Sequence, residues 1–254
     1  MIHVDDLTFS YGSRSILDHL SFHIEKGGFY ALMGPNGCGK TTLLRCIAHL
    51  LKPQQGTIRI EGKLVQDYDA RSLAQHIAMV RQQTVPDFEF SAFDIVMMGR
   101  NPYQRRLQAT TDADFQIVEN AMQTTHTWHL RDHLPSQMSG GELQRVMIAR
   151  ALAQQTPIML LDEPTSNLDI AHQLEIMQLL QAINRTEGKT ILIVVHDLNQ
   201  ALRYCPQSLL LHQGHLFYQG HTPQALTPQH ILEVFGVEAS SVEGFLHYQR
   251  PFSN

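Results

Sequence analysis

Short apolar runs recur along this chain, and the spacing within each run separates strands from helices. Leu20, Phe22 and Ile24 alternate with Ser21, His23 and Glu25, the period of a half-buried strand. Thr57-Ile-Arg-Ile-Glu-Gly62 alternates in the same way and stops at glycine. Phe29 to Met33 is instead continuously apolar and bounded by Gly27-Gly28, as a fully buried strand would be. Ile158–Leu161 and Ile191–Val195 are of the same kind and predict parallel strands covered on both faces. Helical spacing places Leu43, Leu44, Ile47, Leu50 and Leu51 on one face after the first buried strand. It does the same for Ile176, Met177, Leu180 and Ile183, in a stretch from Gln173 to Ile183 without proline or glycine.

From about Pro86 to Gln154 the pattern turns helical. Thr111-Asp-Ala-Asp114 has capping-box spacing, and Phe115, Val118 and Met122 then share a face. A tail from His212 alternates glycine turns with short strands and carries a last helix near Pro228–Phe235. The expected fold is α/β: a core over 1–85 and 156–236 with an antiparallel N-terminal β region, a helical subdomain inserted at 86–155, and a C-terminal tail at 237–254.

Composition narrows the class without changing this layout. The chain has 254 residues, 43% apolar and 17% charged, which is ample for one large core. Its apolar runs fall far short of the roughly 18–20 residues a membrane span needs, and Met-Ile-His-Val-Asp-Asp lacks the regions of a signal peptide. Three cysteines, Cys38, Cys46 and Cys205, make no disulfide framework and point to a reducing cytosol. A net charge of −5 argues against broad binding to nucleic acid or anionic lipid, though not against docking on a membrane protein.

The chemistry begins at Gly34-Pro35-Asn36-Gly37-Cys38-Gly39-Lys40-Thr41-Thr42, which fits G-x-x-x-x-G-K-[ST] between a buried strand and a helix. Glycines let the backbone turn its N–H groups toward a phosphate, and the helix N-terminus adds unpaired donors and a positive dipole end. Lys40 reaches β- and γ-phosphates, and the Thr41 hydroxyl suits Mg²⁺. A chance glycine-rich turn would lack these flanking elements. Ile158-Met-Leu-Leu-Asp162-Glu163 is an apolar strand ending in two carboxylates. Asp162 is placed to assist Mg²⁺ and Glu163 to polarise an attacking water, where a solitary motif could equally be a strand ending in solvated acids. Met138-Ser139-Gly140-Gly141-Glu142 opens another helix, either as a simple serine cap or as a second anion site without lysine.

Together with His196 after a further strand, these motifs resemble, in order, the ATPase subunit of ABC transporters over about Ile2 to Gly236. The resemblance implies a P-loop NTPase, RecA-like core that binds ATP and Mg²⁺ and hydrolyses the nucleotide. Met138 and Glu142 stand where leucine and glutamine are commoner. Tyr11 matches the aromatic that stacks on adenine, although Tyr-Gly also reads as a turn. Gln82, or its neighbour Gln83, matches the glutamine that contacts Mg²⁺ and the attacking water. Asp169 matches the loop crossing to a partner subunit, and His196 the histidine that contacts the γ-phosphate. In this family Ser139, Gly140, Gly141 and Glu142 would complete the ATP site of a second copy, so a homodimer is implied. A membrane permease and an extracytoplasmic binding protein are the further partners implied, with Phe90–Tyr103 facing the permease at the cytoplasmic side of the membrane.

Within the family, Met98-Gly-Arg-Asn-Pro-Tyr103, Leu168-Asp-Ile-Ala-His-Gln173 and His196-Asp-Leu-Asn-Gln-Ala201 are similar to importers of iron–siderophore, haem and cobalamin, nearest to ferric-siderophore uptake. A soluble ABC ATPase of an assembly machine, such as iron–sulfur cluster biogenesis, would share every nucleotide motif. A P-loop kinase would have no use for Ser139–Glu142. His126, His129 and His133 would lie on one face if helical, and a solvated helix face is the expectation over a zinc site.

Overall fold

The computed structural model describes residues 1–81, 90–104, 110–242 and 245–249. The chain opens with β1 (Ile2–Tyr11), β2 (Arg14–Ile24) and β3 (Phe29–Met33), followed by α1 (Lys40–Ile47), β4 (Gln55–Ile60) and β5 (Lys63–Leu64). Then come α2 (Ala70–Ala74), β6 (Ile77–Val80), α3 (Ala92–Met97), α4 (Asp112–Thr124), α5 (Gly140–Ala153), β7 (Ile158–Leu161) and α6 (Ile170–Glu187). The last part holds β8 (Thr190–Val194), α7 (Leu198–Tyr204), β9 (Gln207–His212), β10 (His215–His221), α8 (Thr222–Ala225), α9 (Pro228–Phe235), β11 (Glu238–Val242) and β12 (Phe245–Gln249). Contacts divide the chain into two compact units, Met1–Asp67 with Thr190–Asn254, and Tyr68–Lys189.

The first unit carries the antiparallel sheet that the alternating segments predict, in the order β2-β1-β4-β5. Ile2 faces Ile24 on one side and Ile60 on the other, so the buried faces of three strands coincide. Leu20, Phe22, Ile24, Ile58 and Ile60 are buried. In the same unit β3 runs parallel to β8 and to β9, with Phe29 opposite Ile191 and Tyr30 opposite Gln207. Every residue of β3 and β8 is buried, which is why these segments are apolar throughout. β10 turns back antiparallel to β9. The C-terminal β11 and β12 form a separate hairpin.

The second unit holds the parallel pair β6–β7, registered Ile77 opposite Ile158, together with α2 to α6. Capping boxes start α3, α4 and α5 at Ser91, Thr111 and Ser139. α6 buries Ile176, Met177, Leu180 and Ile183 as their spacing predicts, and begins three residues before Gln173.

Three expectations are corrected. α1 stops at Ile47, because His49 takes a left-handed φ of 54° and the N–H groups of Leu50 and Leu51 both turn back to the Arg45 carbonyl. Leu50 is therefore outside the helix and exposed. Phe115 does not share the buried face of Val118 and Met122; it is exposed, with its ring stacked on Phe93 at 5.4 Å between centroids. His126, His129 and His133 share no helix face, since α4 ends at Thr124, His126 has φ 56° and His129 lies in a 3₁₀ turn.

Candidate active site

In the first unit the phosphate-type loop follows β3 without a break. Gly34, Gly37 and Gly39 all have positive φ, at 144°, 78° and 106°. At Gly34 a Cβ would run into the Leu211 carbonyl of β9, and at Gly39 it would meet Leu17 Cδ2 at 2.5 Å. These two glycines are fixed by backbone conformation and by neighbours at once. Pro35 is half-buried, Asn36 is exposed, and Cys38 is buried with its thiol pushed up by desolvation. The Cys38 N–H donates to the Pro35 carbonyl at 3.3 Å, closing the loop.

Lys40 opens α1 and is buried, and its ammonium donates to the carbonyls of Gly34 at 2.8 Å and Pro35 at 2.9 Å. The cation is thus held inside the curve of the loop by two neutral carbonyl acceptors. Thr41 and Thr42 follow in the first turn, half-buried and buried. Tyr11 ends β1 with an exposed ring set edge-on to Phe9 at 4.9 Å, and Gly12 turns the chain at φ 57°. His196 is exposed two residues after β8 and just before Asp197, whose carboxylate caps α7 through the Asn199 and Gln200 N–H groups.

The second unit carries the other candidates. Asp162 is buried at the end of β7, and its N–H donates to the Val80 carbonyl at 2.9 Å. Glu163 is half-buried with φ 51°, a left-handed conformation that costs a side-chain-bearing residue on the order of 1 kcal/mol. Its carbonyl accepts from both the N–H and the hydroxyl of Ser166, which fixes the turn.

Ser139 caps α5: its N–H donates to Glu142 Oε2 at 2.8 Å, and the Glu142 N–H donates back to Ser139 Oγ at 3.3 Å. The Ser139 N–H, and after it the Ser139 hydroxyl, hold the Glu142 carboxyl below its usual range. Gly140 is exposed beside Leu168, and Gly141 is buried under the His172 ring, which a Cβ at 141 would strike. Asp169 caps α6 through the His172 N–H at 2.9 Å, and its second oxygen meets His172 Nδ1 at 2.8 Å. His172 is the residue that sequence reasoning passed over. It was visible only as part of a family-like string, although its position three residues after an aspartate is the spacing of a helix cap. Gln82 and Gln83 lie outside the described residues.

A family profile described as ABC transporter matches residues 17–166. The ferric enterobactin transport ATP-binding protein FepC of Escherichia coli (strain K12) is 37% identical over 239 residues, covering 94% of this chain and 88% of its own. This chain belongs to the ABC transporter family, as an ATP-binding subunit. Solved structures agree with the assignment. A metal-chelate type ABC transporter in an inward-facing conformation matches with TM-score 0.85 at 29% identity, over 99% of this chain and 97% of that one. The ATP-binding cassette MJ0796, dimeric and in a post-hydrolysis state bound to ADP and phosphate, matches with TM-score 0.75 at 31% identity, over 87% and 99%. The fold is the P-loop ABC ATPase fold, and the subunit binds and hydrolyses ATP. ABC ATPases of this kind dimerise and work with a membrane permease.

Proposed function

We propose that this ABC ATPase drives an importer of an iron(III) chelate of the siderophore class. The observation that carries the reading is its similarity, along nearly the whole chain, to an ATPase named for ferric enterobactin transport. The similarity to a metal-chelate type transporter supports the same cargo chemistry.

In this reading Gly34 to Thr42 cradle the phosphates, with Lys40 on the β- and γ-oxygens and Tyr11 against adenine. The donors suited to a hard cation are all oxygens, the Thr41 hydroxyl, the Asp162 carboxylate and the Gln82 amide, which fits Mg²⁺ and not a soft metal. When bound, Mg²⁺ neutralises phosphate charge. Glu163 is the general base that polarises water, and His196 contacts the γ-phosphate. Ser139, Gly140, Gly141 and Glu142 complete the site of a second copy of this chain, to which Asp169 crosses. ATP closes that homodimer and hydrolysis releases it, so nucleotide biases a two-state element. A permease at the cytoplasmic face of the cell membrane docks on residues 90–103, and an extracytoplasmic binding protein delivers cargo to it. Exposed Phe90, and Phe115 stacked on Phe93, supply apolar surface for that contact. Among the described residues no helix is long and apolar enough to cross a membrane, so the anchor in this account is the permease.

The test is purification of Glu163→Gln with ATP from gently solubilised cells, identifying what accompanies it. A polytopic permease whose genetic loss abolishes uptake of a ferric siderophore is the expected partner. A soluble scaffold instead would overturn the importer reading and leave the ATPase assignment standing.

A further inference from the structure

The outer edge of the C-terminal hairpin is closed by a side chain. β12 pairs with β11 along one edge. At Leu246 the backbone N–H donates to Asn199 Oδ1 at 2.7 Å, and the Leu246 carbonyl accepts from Asn199 Nδ2 at 3.2 Å. A primary amide offers one acceptor and one donor side by side, so it satisfies both backbone groups of a single strand residue as a neighbouring strand would. Leu246 is anchored on its other side too: its side chain is buried, and with Phe245, Leu202, Leu226 and Pro228 it lines a recess of about 500 Å³.

Asn199 is the second residue of α7, and its N–H donates to the capping carboxylate of Asp197 at 2.8 Å. Burial and that same carboxylate push the Tyr248 phenol of β12 up to about 12. The hairpin therefore meets residue 199, three positions after His196. The turn at His196 lies between β8, whose following residue Val195 donates to the Leu32 carbonyl at 3.3 Å, and a helix of seven residues that buries Leu198, Ala201 and Tyr204. So short a helix depends on tertiary contacts, and the bond pair at Asn199 adds one at its first turn.

We propose that Asn199 is a positioning residue for hydrolysis: by fastening β12 to the first turn of α7, it holds His196 in place. This rests on the reading of His196 as the γ-phosphate contact. The bonds that Lys40 donates to the Gly34 and Pro35 carbonyls lie within the phosphate loop and do not involve the hairpin, so KM for ATP is expected to change little.

The test is a double-mutant cycle on ATP turnover by the purified full-length chain, with melting recorded for each variant. Asn199→Ala is expected to lower kcat about ten-fold with KM for ATP within about two-fold, the signature of a misplaced catalytic contact. In the His196→Ala background the same change is expected to alter the residual kcat by less than about two-fold. Asn199→Asp keeps the acceptor for the Leu246 N–H and is expected to recover part of the loss. It also carries the cycle if the alanine variant fails to fold. Equal losses in both backgrounds, or full turnover in Asn199→Ala, would overturn the proposal. Full turnover in His196→Ala would instead remove the reading of His196 itself, and the proposal with it.

Discussion

At the scale of single residues, the site is shaped by conformations and close approaches that side-chain chemistry alone does not announce. The lysine and glycines of Gly34–Thr42 were legible because their spacing is the chemistry. The left-handed φ of Glu163 was not, since nothing in Leu-Asp-Glu-Pro marks a strained backbone. Gly141 was legible as part of a helix start, but its reason for being glycine lies in His172, which is thirty-one positions away and held by Asp169. Gly141→Ala must push that ring aside and so disturb both the start of α5 and the cap of α6. The expected result is a fall in turnover of at least about ten-fold. Adding His172→Ala makes room and is expected to restore part of it. Steady-state ATPase rates decide this, and a double variant no better than Gly141→Ala would show that crowding is not the cause.

At the scale of elements, β1 and β6 were not read. Alternation and continuous apolar runs predicted β2, β3, β4, β7 and β8, and helical phase predicted α1, α4 and α6, because burial imposes those patterns. They failed where a local contact outweighed the period. α1 ended early on the Arg45 carbonyl, and Phe115 turned outward to stack on Phe93. They also missed what joins the helices of the second unit. Arg100 follows α3 and is buried, its Nε donating to Asp114 Oδ1 in α4 at 2.9 Å and an Nη to the Ala153 carbonyl at the end of α5 at 2.8 Å. An arginine reads as surface, and only its flanks, Gly99 packed against Arg150 and Tyr103 4.1 Å beneath the guanidinium, give it away. Arg100→Ala takes the ion-pair partner from a buried carboxylate, leaving it the Thr111 cap bonds, and is expected to cost about 3 kcal/mol in denaturant unfolding.

The Arg100 guanidinium, followed by the Thr111 cap bonds, holds the Asp114 carboxyl below its usual range. With the folded value depressed, the pair's stabilisation is complete above about pH 3.9 and is lost as pH falls through the folded value. Melting temperatures taken below about pH 3.9 should therefore fall more steeply for the wild type than for Asp114→Asn. Parallel curves would contradict this role.

For the whole molecule, the order of motifs along the chain was legible because a phosphate loop, an acidic strand end and a Ser-Gly-Gly helix start each carry their own chemical logic. Their assembly was legible only through the family resemblance, since the Ser139–Glu142 face would serve a nucleotide held by another copy. A single chain would then bind ATP with its own loop and still be unable to turn it over. The measurement that tests this most directly is the mass in solution of Glu163→Gln, with and without ATP and Mg²⁺, beside its rate of hydrolysis. The expected result is a monomer without nucleotide, a dimer with ATP retained, and turnover reduced by at least about a hundred-fold. A Glu163→Gln chain that stays monomeric with ATP bound, or that hydrolyses it at near the wild-type rate, would contradict it.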